Sequence, residues 1–169
     1  MDSVKESEQM GVVEALKRSE VFLGLDDSEL IEIANLPSTK EESWQPNQFI
    51  FRKGERAKLL YVLKEGKVNL VTERKDGSSI EPERLVVDDI TKGEAFGWSA
   101  LVAPRSYVLS AFCSEPSKVI AISGEELAAL FERNNHIGYK VLYSVTLIIF
   151  TRLRYTEQLV VQSKRWPLI

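Results

Sequence analysis

The sequence predicts a mainly β domain with flanking helices, and three observations carry that reading. Across residues 42–122, short runs rich in β-branched, aromatic and aliphatic side chains alternate with turn residues. Ahead of that block, apolar residues recur at helical spacing. Behind it, a second helical pattern runs almost to the end of the chain. No internal repeat or low-complexity linker interrupts this order, so one domain is expected.

The chain divides into a polar N-terminal tail over residues 1–14 and the domain itself over 15–169. Within residues 12–36, Val12, Val13, Leu16, Val21, Phe22, Leu30 and Ile33 keep helical spacing, with breaks. Asp26 or Asp27 suits a helix N-cap. Leu36-Pro37 ends the segment, because the residue before a proline disfavours the α region. Strands are expected over 48–51, 59–63, 67–72, 85–88, 108–112 and 118–122, with turns at Gly54, Gly66, Asp76-Gly77, Gly93 and Pro116. Asp76-Gly77 has the composition of a tight hairpin turn. Many short strands at this spacing give a sandwich, a roll or a barrel. Ser123 caps a short helix that begins with two glutamates, which favour the positive end of the helix dipole. A longer helix covers about 135–162, so the C-terminal helices together span about 124–162.

Bulk properties narrow the function classes. The 169 residues are 44% hydrophobic and 28% charged, with a net charge of −3. A nucleic-acid binder that grips phosphates carries a basic excess, which this chain lacks, and Lys164-Arg165 is too short a run to supply one. The single cysteine, Cys113, excludes an internal disulfide and suits a reducing cytosol. The N-terminus is polar and acidic, unlike a signal peptide. The longest apolar stretch, residues 141–150, is about half of the ~20 residues a membrane span needs. A cytoplasmic protein without membrane or nucleic-acid partners is the expectation. The one histidine, His136, leaves no metal-ligand spacing, and no nucleophile–base constellation can be assembled, so neither a metal nor an enzymatic activity is expected. Acidic pairs such as Asp26-Asp27, Glu41-Glu42 and Asp88-Asp89 read as caps and turns.

Two segments carry more specific information. Residues 49–70 read as strand, glycine turn, strand, glycine turn, strand, with Gly54-Glu55 and Gly66-Lys67-Val68 at the turns and Leu60, Val62, Val68 and Leu70 alternating with more polar neighbours. Residues 93–111 contain Phe96-Gly97, a short helical stretch, and Pro104-Arg105-Ser106. Glycine lets a backbone approach an anion closely, amides at a helix start bind it, and an arginine adds planar, charge-assisted hydrogen bonds.

Both segments resemble the cyclic nucleotide-binding superfamily, in particular the sensor domain of Crp/Fnr-type regulators. The first is similar to its early β-roll and the second to its phosphate-binding cassette. The resemblance implies a double-stranded β-helix, a jelly-roll-like β-roll over about 42–122, with N-terminal helices and a long C-terminal helix. It implies a small anionic ligand, cyclic AMP or cyclic GMP, and no other cofactor. Phe96, Gly97, Trp98, Ser99, Arg105 and Ser106 stand at the cassette positions, with Arg105 matching the arginine that pairs with the cyclic phosphate. Along the C-terminal helix, Leu142, Thr146, Ile149, Leu153, Thr156 and Val160 fall at coiled-coil spacing, so the helix is buried by a second copy or lies wholly against its own roll; the resemblance implies the homodimer. Thr156 matches the helix position that reaches the base.

The chain departs from the family pattern at one decisive place. Trp98 stands where a ribose-binding glutamate is expected, and indole donates but cannot accept a hydrogen bond. Losing that acceptor costs roughly 1.5–3 kcal/mol. Tyr107 and Val108 also replace a small-then-threonine pair. Three readings remain open: a cyclic nucleotide held more weakly or in another pose, a different small anion, or a pocket without ligand. Correspondingly, the chain is a stand-alone sensor signalling to an unidentified protein effector through its C-terminal helix, or a dimerising scaffold. It is alternatively a truncated Crp/Fnr-type regulator lacking its helix-turn-helix.

Overall fold

The computed structural model describes residues 2–74 and 83–163. The turn expected at Asp76-Gly77 and the pair Lys164-Arg165 lie outside them. The chain opens with helix α1 (Asp2–Lys17), so residues 2–14 are helical, which corrects the expected tail. That stretch has no proline and is rich in good helix formers, and it is anchored through its C-terminal half, where Val12, Ala15 and Leu16 are buried. Apolar spacing could not reveal its polar first half. A single 3-10 turn (Glu20–Phe22) then buries Val21 and Phe22. Helix α2 (Asp27–Ala34) begins with a capping box: Asp26 accepts from the Glu29 amide at 2.9 Å, and Glu29 accepts from the Asp26 amide at 2.8 Å.

Among the described residues eight strands follow: β1 (Lys40–Trp44), β2 (Phe49–Phe51), β3 (Leu59–Glu65), β4 (Val68–Arg74), β5 (Glu83–Ile90), β6 (Ala95–Phe96), β7 (Ser110–Cys113) and β8 (Ser117–Ser123). They form two antiparallel four-stranded sheets, in the orders β1-β8-β3-β6 and β2-β7-β4-β5. Helix α3 (Gly124–Arg133) and the long α4 (Asn135–Ser163) complete the domain. This is the jelly-roll-like β-roll with flanking helices. β1 and β6 have no counterpart among the expected strands. β1 is an exposed, charged edge strand paired only to β8, and β6 is two residues long, so neither carries a readable alternation.

The sheet of β1, β8, β3 and β6 is covered on both faces. Tyr61 and Leu63 of β3 face the roll interior with Phe51, Phe96, Val119 and Ala121. Leu60 and Val62 face a helical layer made of Leu16, Phe22, Leu30, Leu127, Ile137 and Val141, among others. Hence β3 and β8 read as nearly continuous apolar runs, not as the alternation expected for Leu60 and Val62. Each buried Leu, Ile or Phe contributes about 1.5–3 kcal/mol on leaving water. At the β3–β4 turn, a Cβ on Gly66 would stand 2.3 Å from the Pro116 carbonyl oxygen, so only glycine fits there.

Helix α4 lies against this layer through Ile137, Val141, Val145 and Ile148. Its N-terminal end is fixed by Glu29, a nearly buried side chain 3.3 Å from His136 and 3.6 Å from Lys140. Lys140 also donates to the Gly24 carbonyl at 2.6 Å. Further along, Arg152 meets Asp88 of β5 at 3.4 Å. Outside the packed face, Leu142, Tyr143, Leu147, Ile149, Phe150 and Leu153 are exposed. Cys113 is buried and free, and burial pushes its thiol pKa up. Among the described residues no helix is long and apolar enough to cross a membrane, and no cluster of His, Cys, Asp or Glu suits a metal ion.

Candidate ligand site at the cassette

The segment between β6 and β7 positions every cassette residue. β6 pairs with β3 through Phe96↔Tyr61 and Ala95↔Val62. Gly97, at φ +83°, turns the chain out of the strand, and a single 3-10 turn (Trp98–Ala100) follows. One turn aligns too few peptide units to build a substantial helix dipole. The phosphate-gripping helix implied by the resemblance is therefore reduced to a corner. The chain then loops through Arg105 and is pinned back onto residues 54–57. The Ala57 amide donates to the Arg105 carbonyl at 2.8 Å, the Tyr107 amide to the Glu55 carbonyl at 3.0 Å, and the Gly54 amide to the Tyr107 carbonyl at 2.8 Å. Ser106 pairs with Arg56 as an isolated bridge.

Arg105 has φ +55°, a backbone state that costs an L-residue about 1–2 kcal/mol. Strain of this kind gathers at ligand clamps. Its half-buried side chain lines a cleft of about 440 Å³ together with Arg56, Lys58, Ser38, Ser123, Glu125 and Glu126. Three cations thus face two carboxylates. Glu126 is already engaged, accepting from the Ser38 amide at 3.1 Å and the Ser38 hydroxyl at 2.6 Å. None of Arg56, Lys58 and Arg105 forms an ion pair among the described residues, which leaves a local positive excess in a chain of net charge −3.

The other expected site residues go elsewhere. Trp98 is half-buried against the helical layer and does not line the Arg105 cleft; its buried indole N–H has no hydrogen-bond partner among the described residues. The indole therefore does not plug the roll. Ser99 is half-buried beside it in the same turn. Phe96 is fully buried in the roll. Thr156 is exposed on α4, its hydroxyl donating to the Arg152 carbonyl at 2.9 Å. Within one chain it does not join the cleft.

Tyr107 has a larger role than its sequence position suggested. Its ring lies inside the roll, 5% exposed, stacked on Phe51 at 3.6 Å and 12°. Phe51, Tyr61 and Phe96 complete the aromatic group, with Tyr61 and Phe96 stacked at 5.2 Å. Each such pair contributes about 0.5–1.5 kcal/mol beyond burial. The Tyr107 hydroxyl donates to the Leu59 carbonyl at 2.8 Å and accepts from the Leu59 amide at 3.3 Å. β6 stops at Phe96, so no strand flanks Leu59 on that side, and the phenol stands in for one. Burial pushes the phenol pKa of both Tyr61 and Tyr107 up, so both stay neutral. A substitution from a small residue to Tyr was visible in the sequence; its inward direction was not.

A β-roll joined to a cassette corner with an arginine at its tip has the form of a small-ligand-binding domain. The family model of the cyclic nucleotide-binding domain matches residues 41–134, and the chain belongs to that family. A cGMP-dependent protein kinase of Eimeria tenella is 30% identical over 101 residues, 59% of this chain. The match spans only 9% of that kinase. A candidate cyclic nucleotide-binding protein from Geobacter metallireducens GS-15 superposes with a TM-score of 0.68 at 28% identity, covering 83% of this chain and 96% of that one. The catabolite activator protein of Thermus thermophilus has the same fold, with a TM-score of 0.68 at 24% identity over 86% of this chain and 63% of its own.

Proposed function

We propose that this domain is a regulatory module that captures a small phosphate-bearing anion in the Arg105 cleft and passes the event to a partner chain through α4. The observation that carries the reading is the convergence of Arg56, Lys58 and Arg105 on one cleft beside the cassette corner. Arginine suits phosphate because its planar donors match two oxygens at once. The cleft is bounded by Ser123, Glu125 and Glu126 at the start of α3, so an occupant there bears directly on that helix. α3 in turn packs tightly on α4: a Cβ on Gly138 would stand 2.8 Å from the Phe131 Cβ. A ligand moves such a linkage only by its differential affinity for the two arrangements. The exposed apolar face of α4 pairs with a second copy in this reading, and the signal leaves through that helix.

Calorimetry with cyclic AMP, cyclic GMP, 5′-AMP and pyrophosphate tests the proposal, with Arg105→Ala as control. Binding by at least one of these anions, lost in the variant, is expected. A saturating ligand at a hundredfold its Kd adds about 2.7 kcal/mol of stability. A second reading, a dimerising scaffold without ligand, is favoured by the aromatic filling of the roll around Tyr107. A flat response to every anion supports it.

A further inference from the structure

We infer that Tyr107 is the residue that decides what this domain can hold. Its phenol is a built-in occupant of the roll, which shuts a nucleoside out of the roll interior and leaves the Arg105 cleft as the place for an anion. The second half of this inference rests on the proposed anion site; the first rests on packing alone.

Gly97 marks the edge of the filled interior, pressed by Leu59 and Tyr61 and in ordinary contact with Tyr107. A glycine at the cassette corner exposes bare backbone to whatever lies against it. Here that space is taken by the protein: a Cβ at Gly97 would meet the Leu59 carbonyl oxygen at 2.9 Å, the Tyr61 ring at 3.2 Å and the Tyr107 ring at 3.5 Å. The Tyr107 ring is also held at three points. Its face lies on Phe51, its hydroxyl bridges the amide and carbonyl of Leu59, and its backbone is tied to Gly54 and Glu55. A side chain fixed at both ends does not swing aside at small cost, since each buried bond given up leaves a polar group unpaired. Arg105 lies two residues earlier, and its left-handed turn sets the guanidinium on the cleft side while Tyr107 enters the roll. Charge recognition and volume exclusion thus come from one short segment and point to different places. A phosphate can meet Arg105 at the rim, but a ribose and base attached to it find the interior full.

Tyr107→Ala, Tyr107→Val and Tyr107→Phe are compared with the unaltered chain, using p-cresol, cyclic AMP and pyrophosphate in thermal-shift and calorimetric titrations. Apolar cavities left by such truncations accept benzene-sized rings. p-Cresol is expected to raise the melting temperature of the Ala and Val variants, leaving the unaltered chain and the Phe variant unmoved. Cyclic AMP is expected to bind the Ala variant at least tenfold more tightly than the unaltered chain, while pyrophosphate binds both equally. If the Ala variant does not fold alone, its refolding on p-cresol, read by near-ultraviolet circular dichroism, supports the inference. Cyclic AMP that gains nothing in either the Ala or the Val variant, or p-cresol that moves neither, overturns it. If pyrophosphate binds no form of the protein while p-cresol still stabilises the Ala variant, the anion site falls and the occupancy of the roll by Tyr107 stands.

Discussion

Tyr107→Phe isolates the hydroxyl that replaces a missing strand. The ring stays, so stacking on Phe51 and the filling of the roll are kept. What is lost is the oxygen that serves both backbone groups of Leu59, at 2.8 Å from the carbonyl and 3.3 Å from the amide. A buried backbone group left without a partner costs about 1–3 kcal/mol. Leu59 is only half-buried and the amide contact is long, so the loss for the pair stays within about 1–3 kcal/mol, not twice that. For a chain of this length, each kcal/mol moves the melting temperature by about 2–4 °C, which places the drop at roughly 2–12 °C. Urea denaturation measures it as a lower midpoint at unchanged slope, because the surface exposed on unfolding does not change. A midpoint indistinguishable from the unaltered chain would refute the argument, since it would mean that Leu59 finds equal partners without the phenol.

Three further outcomes are expected. Glu20 is half-buried, one carboxylate oxygen has no hydrogen-bond partner among the described residues, and desolvation raises its pKa despite Arg152 nearby. A raised folded-state pKa means that the ionised form is the penalised one. The penalty is present in full above that pKa and fades as the pH falls through it towards the ordinary value of 4.5. Glu20→Gln should therefore stabilise the protein near pH 7 and lose that advantage on acidification, as thermal melts across the range would show. Asp26→Ala removes half of the capping box of α2 and should cost about 1 kcal/mol in urea unfolding. Leu142→Glu with Ile149→Glu places charges on the exposed stripe of α4, where the side chains are 46% and 52% exposed. Sedimentation should show a dimer reduced to a monomer with little change in the urea midpoint; a monomer before substitution would refute the pairing.

Much of the fold was legible in the chain because its signals are local. Glycine turns bound the strands, and the expected long helix over about 135–162 matches α4 (Asn135–Ser163) closely. Ser123 caps α3 as its position suggested, accepting from the Glu126 amide at 3.3 Å. Asp26 caps α2 for the same reason: capping is settled within three residues. β1 and β6 were not legible, since an exposed edge strand and a two-residue strand acquire their identity from the strands beside them. The site was legible only in part. Arg105 could be singled out from Pro104-Arg105-Ser106, whereas Arg56 and Lys58 carry no motif and reach the cleft only because residues 54–57 are pinned to 105–107.

By itself the sequence determined the roll with flanking helices and the family, and marked Arg105 as a candidate, because turn chemistry, apolar periodicity and a few spaced residues are properties of neighbours along the chain. The tertiary structure alone decided which way the unusual residues point. Trp98 goes to the helical layer and Tyr107 into the roll, although both occupy cassette positions. The direction of a side chain depends on the turn at Gly97, the left-handed backbone at Arg105 and the open flank of Leu59. Those are brought together from segments roughly forty residues apart, and no local pattern encodes a meeting at that distance.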